Sequence, residues 1–264
     1  MPARQLYQGE HWSIVREFDR GDLSGKGHSC ELWVASAGYG LVAIDAPLRP
    51  YAATFATRHA DSVAITPDDG PTAQAENQAW WQALADLSDG VAPRSVATLA
   101  ADHPRDPLVV VGSPCYIHAM ERDLLVARQE LSSPDTLIIV SSAPSPGCEL
   151  EANWVVTNAR LQPLVGGSLS SLNARVARKM LHEHAVSDLR ASRLHTHLAQ
   201  EITQAPPRTR AVRKPIPDAH VAGFIRRELA TEPEQTYSRL LKLLRDRGWS
   251  CEQSRFKRIY QQSR

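Results

Sequence analysis

The residues of this chain that could do chemistry crowd behind short apolar runs. The densest such stretch is WVASAGYGLVAIDAPLRPYAATF, residues 33–55. Ser36, Gly38, Tyr39 and Gly40 close the run, and Asp45, Pro50 and Tyr51 follow. A plain strand-to-loop connection needs one glycine, whereas Gly38 and Gly40 together let backbone come close to a base or a phosphate. Tyr39 or Tyr51 is then available to stack or hydrogen-bond. Asp45 is available to accept from an exocyclic amine, and is the carboxylate candidate for proton transfer. The alternative is a structural turn in which Pro50 and Tyr51 simply cap the core.

A second cluster, GSPCYIHAM (112–120), offers Ser113, Cys115 and His118 just after an apolar run. A cysteine opening a helix suits a thiolate nucleophile or base, and His118 three residues on falls on the same helix face. A small buried thiol is the commoner use of such a residue. A third, VGGSLSSLNARVARK (165–179), sets Gly166, Gly167 and Ser168 directly before a helix. Free backbone N–H groups at the positive end of the helix dipole make an anion seat, and Arg175, Arg178 and Lys179 extend its charge. A turn with a serine cap is the competing explanation. His182-x-His184 and His195-x-His197 invite a metal, but residues two apart on a helix point to nearly opposite sides, so no metal site is expected. No Ser-His-Asp order, phosphate-binding P-loop or dinucleotide fingerprint is present, so no cofactor is expected either.

These residues need elements to position them. The runs at 31–36, 107–112 and 136–142, with a weaker one at 153–157, are short, β-branched and bounded by Gly, Pro or Ser. They predict buried parallel strands, which lose alternation because both faces are covered. Helical spacing predicts helices over 72–88 (capped by Thr72, with Glu76 nearby), 115–131 and 168–185. Strands alternating with helices imply an α/β domain over 1–185, a mostly parallel sheet with flanking helices. Residues 186–217, ending in the Pro- and Arg-rich QAPPRTRAVRKPIP, are expected to be an exposed linker.

Residues 218–264 predict a small all-α domain. One helix spans 218–229 with Asp218 as N-cap. A second spans 236–247, with Leu240, Leu241, Leu243 and Leu244 as its apolar stripe, and stops at Gly248. The last opens with a Ser250-x-x-Gln253 capping box and buries Phe256, Ile259 and Tyr260. A glycine turn before a final helix with a basic face resembles a helix-turn-helix. Arg239, Arg247, Ser254, Arg255, Lys257 and Arg258 are the expected nucleic-acid contacts, DNA before RNA. A helical hairpin docking on a partner, or on the acidic part of the same chain, is the alternative.

Charge supports the polyanion reading. The 264 residues carry a net +1, but residues 1–205 hold 16 Lys+Arg against 23 Asp+Glu, and residues 206–264 hold 14 against 6. A strongly basic tail on an acidic body points to a polyanion partner. The four cysteines are widely separated and form no C-x-x-C pair, which argues against a zinc ribbon or a disulfide framework. No apolar run approaches the roughly 18 residues that cross a bilayer, and the N-terminus lacks a signal-peptide core. A cytoplasmic protein without membrane contact is expected.

Residues 31–55 also resemble the segment of YaaA-type proteins in which a strand enters Ser-(Gly/Ala)-x-Tyr-Gly-Leu, followed by an acidic residue and Pro-Tyr. The matching residues are Ser36, Ala37, Tyr39, Gly40, Leu41, Asp45, Pro50 and Tyr51. LVVVGSPCYIHAM (108–120) and SLSSLNARVARKM (168–180) sit where that family has a strand with a small-residue turn and a basic helix. ARQLYQGEHW (3–12) matches an Ala-x-x-Leu-Tyr-x-Gly element of related proteins. The resemblance covers about residues 3–185. It implies a link to peroxide stress and DNA binding, or to DNA modification and phage defence, where some relatives handle deazaguanine bases. Those relatives usually begin with a further strand carrying a Cys-Ser/Lys signature, absent here. The expectation is that self-association or a partner chain covers the open sheet edge. The leading expectation for function is a nucleic-acid-associated bacterial protein acting in stress response, DNA modification or antiviral defence. The alternatives are an enzyme acting on a modified purine base or nucleoside, and a non-catalytic subunit of a larger complex.

Overall fold

The computed structural model describes residues 1–18, 29–87, 94–145, 147–206 and 214–263. The chain divides into two compact units, Met1–Pro206 and Pro207–Arg264. In the first, helices α1 (Ala3–Leu6) and α2 (Glu10–Phe18) precede a hairpin of β1 (Trp33–Ser36) and β2 (Gly40–Ala43). The pairing is antiparallel, with Trp33 opposite Ala43 and Ser36 opposite Gly40. This corrects the expectation of a buried parallel strand over 31–36. Leu41 and Val42 supply a second apolar run within hairpin reach, and Gly40, at φ +74, takes the left-handed conformation that lets the chain reverse. Val34 and Val42 then pack with Ala3, Ile44 and Leu48 as a small core of their own.

The main sheet follows. Helices α3 (Pro71–Ala85) and α4 (Val96–Asp102) lead to β3 (Leu108–Val111), α5 (Pro114–Ala119), α6 (Glu121–Glu130), β4 (Leu137–Ser141) and β5 (Trp154–Val156). The three strands are parallel in the order β3-β4-β5, as the apolar runs predicted. Every residue of β4 is buried, so its run shows no alternation. One sheet face sends Leu137 and Ile139 into a core with Trp81, Ile117 and Leu124. The other sends Ile138, Val140 and Val155 against residues of the next helices, among them Leu172, Val176 and Leu194. Those helices are α7 (Gln162–Val165), α8 (Leu172–Glu183) and α9 (Ala191–Gln204). Helices on both faces of a parallel sheet make this an α/β unit.

Several local expectations change. Helix α9 occupies much of the segment expected as linker, because Ala191, Leu194 and Leu198 recur at helical spacing and bury against the sheet. Residues 207–213, the heart of that expected linker, lie outside the described residues. The helix expected over 115–131 breaks at Met120, which ends α5 and begins α6. Thr72 is not a cap: α3 starts at Pro71 behind Gly70, and Glu76 instead accepts from the backbone N–H and hydroxyl of Thr66.

The second unit comprises β6 (Lys214–Pro215), α10 (Asp218–Thr231), α11 (Tyr237–Asp246), β7 (Trp249–Ser250) and α12 (Gln253–Ser263), with β6 and β7 pairing in parallel. Its helices close around Val221, Phe224, Ile225, Leu240, Leu241 and Phe256. Gly248, at φ +85, ends α11 as expected. The caps differ. Asp218 is the first helical residue, not the N-cap, and the capping box at Ser250 does not form. Ser250 is held in β7, and the Glu252 carboxylate takes over, accepting from the backbone N–H groups of Ser254 and Arg255 at 2.9 Å each. Among the described residues, no helix is long and apolar enough to cross a membrane.

Candidate functional site

The carboxyl ends of β3, β4 and β5 are bound together by polar side chains, at the edge where open α/β sheets place their crevices. Gly112 C=O, just past β3, accepts from Ser141 Oγ at 2.8 Å and Asn173 Nδ2 at 2.7 Å. Asn173 in turn accepts from Thr157 Oγ1 at 2.6 Å. The start of α8 is thereby tied to the ends of the sheet.

Three hydroxyls meet beside the hairpin turn, from Ser36 at the end of β1, Tyr7 after α1 and Tyr51 beyond β2. Tyr7 and Tyr51 lie 2.9 Å apart, Ser36 Oγ is 2.8 Å from Tyr51, and Tyr7 donates to Ser36 at 2.9 Å. Burial pushes the Tyr7 phenol well above its ordinary range, so it is no phenolate base. The ring of Tyr51 covers Gly38, and Tyr39 meets Tyr51 edge-on at 5.3 Å. The Tyr39 hydroxyl donates to Arg49 C=O at 3.1 Å and accepts from Arg49 N–H at 3.3 Å. Asp45 does not face this group: Arg4 grips it at 2.5 and 2.6 Å on the exposed side. The stretch that looked built for a ligand is largely satisfied by its own side chains, with Tyr7 the partner its local spacing does not disclose.

The expected anion seat does hold an anion, and it belongs to the protein. Glu10, on α2, accepts from Ser168 N–H at 3.2 Å and from Arg175 Nη2 at 2.7 Å. The hydrogen bonds from Ser168, then that from Arg175, hold its carboxyl down at about 2. Gly166 and Gly167 both take positive φ, and a Cβ at Gly167 would collide with Arg175 and Glu10. Of the three N–H groups expected to form the seat, that of Gly166 bonds to Gln162 C=O and that of Ser168 reaches the Glu10 carboxylate.

Cys115 and His118 part company. Cys115 Sγ lies 3.1 Å from Ser113 Oγ at the start of α5. His118 is buried, its Nε2 3.1 Å from Ser145 Oγ in the loop after β4, and its Nδ1 3.7 Å from Glu121 Oε2. The ring lies against Trp154 at 5.8 Å. A Ser-His-carboxylate grouping, which no order in the sequence announced, is therefore assembled in space. Glu121, three residues after His118, was legible from helical spacing, and Ser145 from its position beyond a strand's carboxyl end. The histidine pairs also regroup. Within each pair the side chains diverge, but His184 Nε2 meets His197 Nδ1 at 3.1 Å and His195 Nδ1 sits 2.9 Å from Trp154 C=O. Among the described residues, no group of three or more His, Cys, Asp or Glu side chains is placed to hold a metal ion.

In the second unit, α12 buries Phe256, Ile259 and Tyr260 and exposes Ser254, Lys257, Arg258 and Gln261 on the opposite face. The helix contains no acidic residue. Not every expected contact faces solvent freely. Arg255 is half-buried, tied to Asp218 and to Ile216 C=O. Arg258 shares Asp218 at 3.1 Å while remaining about half exposed. Arg247 pairs with Glu228 at 2.9 Å and lies over the Phe224 ring, and Arg239 stands 4.0 Å from Glu232. Exposed Arg226 and Arg227 add positive charge on α10.

Comparison of the chain with protein-family models, with curated proteins and with solved structures found no match.

Proposed function

We propose that this chain is a nucleic-acid-associated protein whose C-terminal helical unit engages the phosphate backbone, acting in stress response, DNA modification or antiviral defence. The observation that carries the reading is the solvent face of α12, where Ser254, Lys257, Arg258 and Gln261 share one side and the helix itself contributes no acid, although Asp218 pairs with Arg258 and Glu252 accepts from the Ser254 hydroxyl. Lysine and arginine supply the phosphate contacts that dominate affinity, and serine and glutamine add hydrogen bonds to backbone or base edges. Arg255 has a different role in this account: held by Asp218, it braces α12 against the start of α10 instead of reaching the ligand. The cellular setting comes from the YaaA-like resemblance of about residues 3–185, strongest over 31–55.

Truncation tests the division of labour. Met1–Pro206 has its own sheet and cores, so removing residues 207–264 leaves a folded body. Fluorescence anisotropy with a labelled DNA duplex at low salt should show binding by the full chain and none by the truncated one. Equal binding by both would overturn the reading.

A further inference from the structure

The His118 grouping is unused by nucleic-acid binding and has the parts of a nucleophilic site. An ionised carboxylate can only accept, so Glu121 facing Nδ1 favours the tautomer with its proton there. Nε2 then presents its lone pair to Ser145 Oγ, 3.1 Å away. The Trp154 ring and burial hold the imidazole in place, while Ser145 is half-exposed on the loop that leaves β4. The 3.7 Å between Nδ1 and Glu121 exceeds a hydrogen bond. Contacts of this kind are commonly long without substrate and tighten when it binds. The neighbouring thiol is no rival: burial, reinforced by its hydrogen bond to Glu121, pushes Cys148 up to about 11.

We propose that Ser145 is a nucleophile, His118 its general base and Glu121 the positioning residue, in a site that acts on carboxylic esters at the carboxyl edge of the sheet. Ser145 Oγ adds to the ester carbonyl carbon as its proton passes to His118 Nε2. Collapse breaks the bond to the alkoxy oxygen, and the alcohol leaves with that proton. Water, deprotonated by the same nitrogen, then cleaves the acyl-serine to release the acid and restore the hydroxyl.

A fluorophosphonate reports this reactivity in the full chain without a known substrate. The Ser145 Oγ–P bond forms, the P–F bond breaks, and the hydroxyl proton leaves through His118 with fluoride. Intact-mass and peptide analysis should find one adduct, on Ser145, in the native protein and none in urea. Ser145→Ala should abolish it. His118→Gln, with folding verified by circular dichroism, should slow it on the order of 10²–10⁴-fold, the usual worth of a general base. Glu121→Gln should slow it about tenfold and Glu121→Asp should recover part of the loss, since a carboxylate near Nδ1 is what orients the ring. A native protein left unlabelled at Ser145 overturns the proposal, as does labelling that proceeds equally fast in urea or without His118.

Discussion

Gly38→Ala probes the hydroxyl cluster of the hairpin most sharply. A Cβ at Gly38 would sit 2.5 Å from Tyr51 Cδ2 and 2.7 Å from Cε2, about 1 Å inside ordinary van der Waals contact. Gly38 does not have a left-handed φ, so alanine brings no backbone strain and the effect is purely steric. The ring cannot yield cheaply. Its hydroxyl is held by Ser36 at 2.8 Å and Tyr7 at 2.9 Å, and its edge by Tyr39. Overpacking of this kind costs about 1–3 kcal/mol, and each hydrogen bond broken by moving the ring adds about 0.5–1.5 kcal/mol. A total of about 2–4 kcal/mol follows, or roughly 4–16 °C in melting temperature for a unit of this size. In a Tyr51→Ala background the obstacle is gone, and the same Gly38→Ala change should cost no more than about 0.5 kcal/mol, leaving a coupling of about 1.5 kcal/mol or more. Urea denaturation of the four proteins measures the cycle. Equal costs of Gly38→Ala in both backgrounds would refute the claim that glycine is there to admit the Tyr51 ring.

Other expectations concern the internal ion pairs. Glu10 has its folded pKa depressed to about 2 from an ordinary 4.5, so its contribution to stability is complete above about pH 4.5 and is lost as pH falls towards 2. Melting curves of wild type and Glu10→Gln should therefore differ at pH 6 and converge near pH 2; a gap that persists at low pH would assign the difference to packing. Asp218 neutralises both Arg255 and Arg258, so Asp218→Asn should tighten duplex binding at low salt. Unchanged or weaker binding, with the helices intact by circular dichroism, would mean that Arg258 does not contact the nucleic acid.

The parallel strands were legible because their runs show no alternation: β4 around Ile138 is buried on both faces, whereas β3 around Val109 is half-buried throughout. The hairpin was not, since WVAS followed by glycines has the local signature of a buried strand entering a ligand loop, and only the pairing of Val34 with Val42 distinguishes them. Helix α9 is less legible: Ala191, Leu194 and Leu198 carry the period, but exposed histidines and the nearby prolines obscure it. At the sites, local spacing located Ser36, Tyr51, Ser168 and Arg175 as special residues. It did not reveal what they touch, because Tyr7 and Glu10 reach them across 29 to 165 residues of chain. Ser145 and His118 show the same limit, being 27 residues apart and joined only when β3 and β4 align.

The salt dependence of duplex binding tests the central claim most directly. Anisotropy titrations of the full chain across increasing salt should give a linear fall of log K with log salt, with a slope of about −0.9 for each phosphate neutralised. Replacing Lys257 and Arg258 by glutamine should make that slope shallower by about two, one for each phosphate contact removed. Binding that ignores salt, or a slope that the double substitution leaves unchanged, would contradict the account of the C-terminal unit as a phosphate-binding surface.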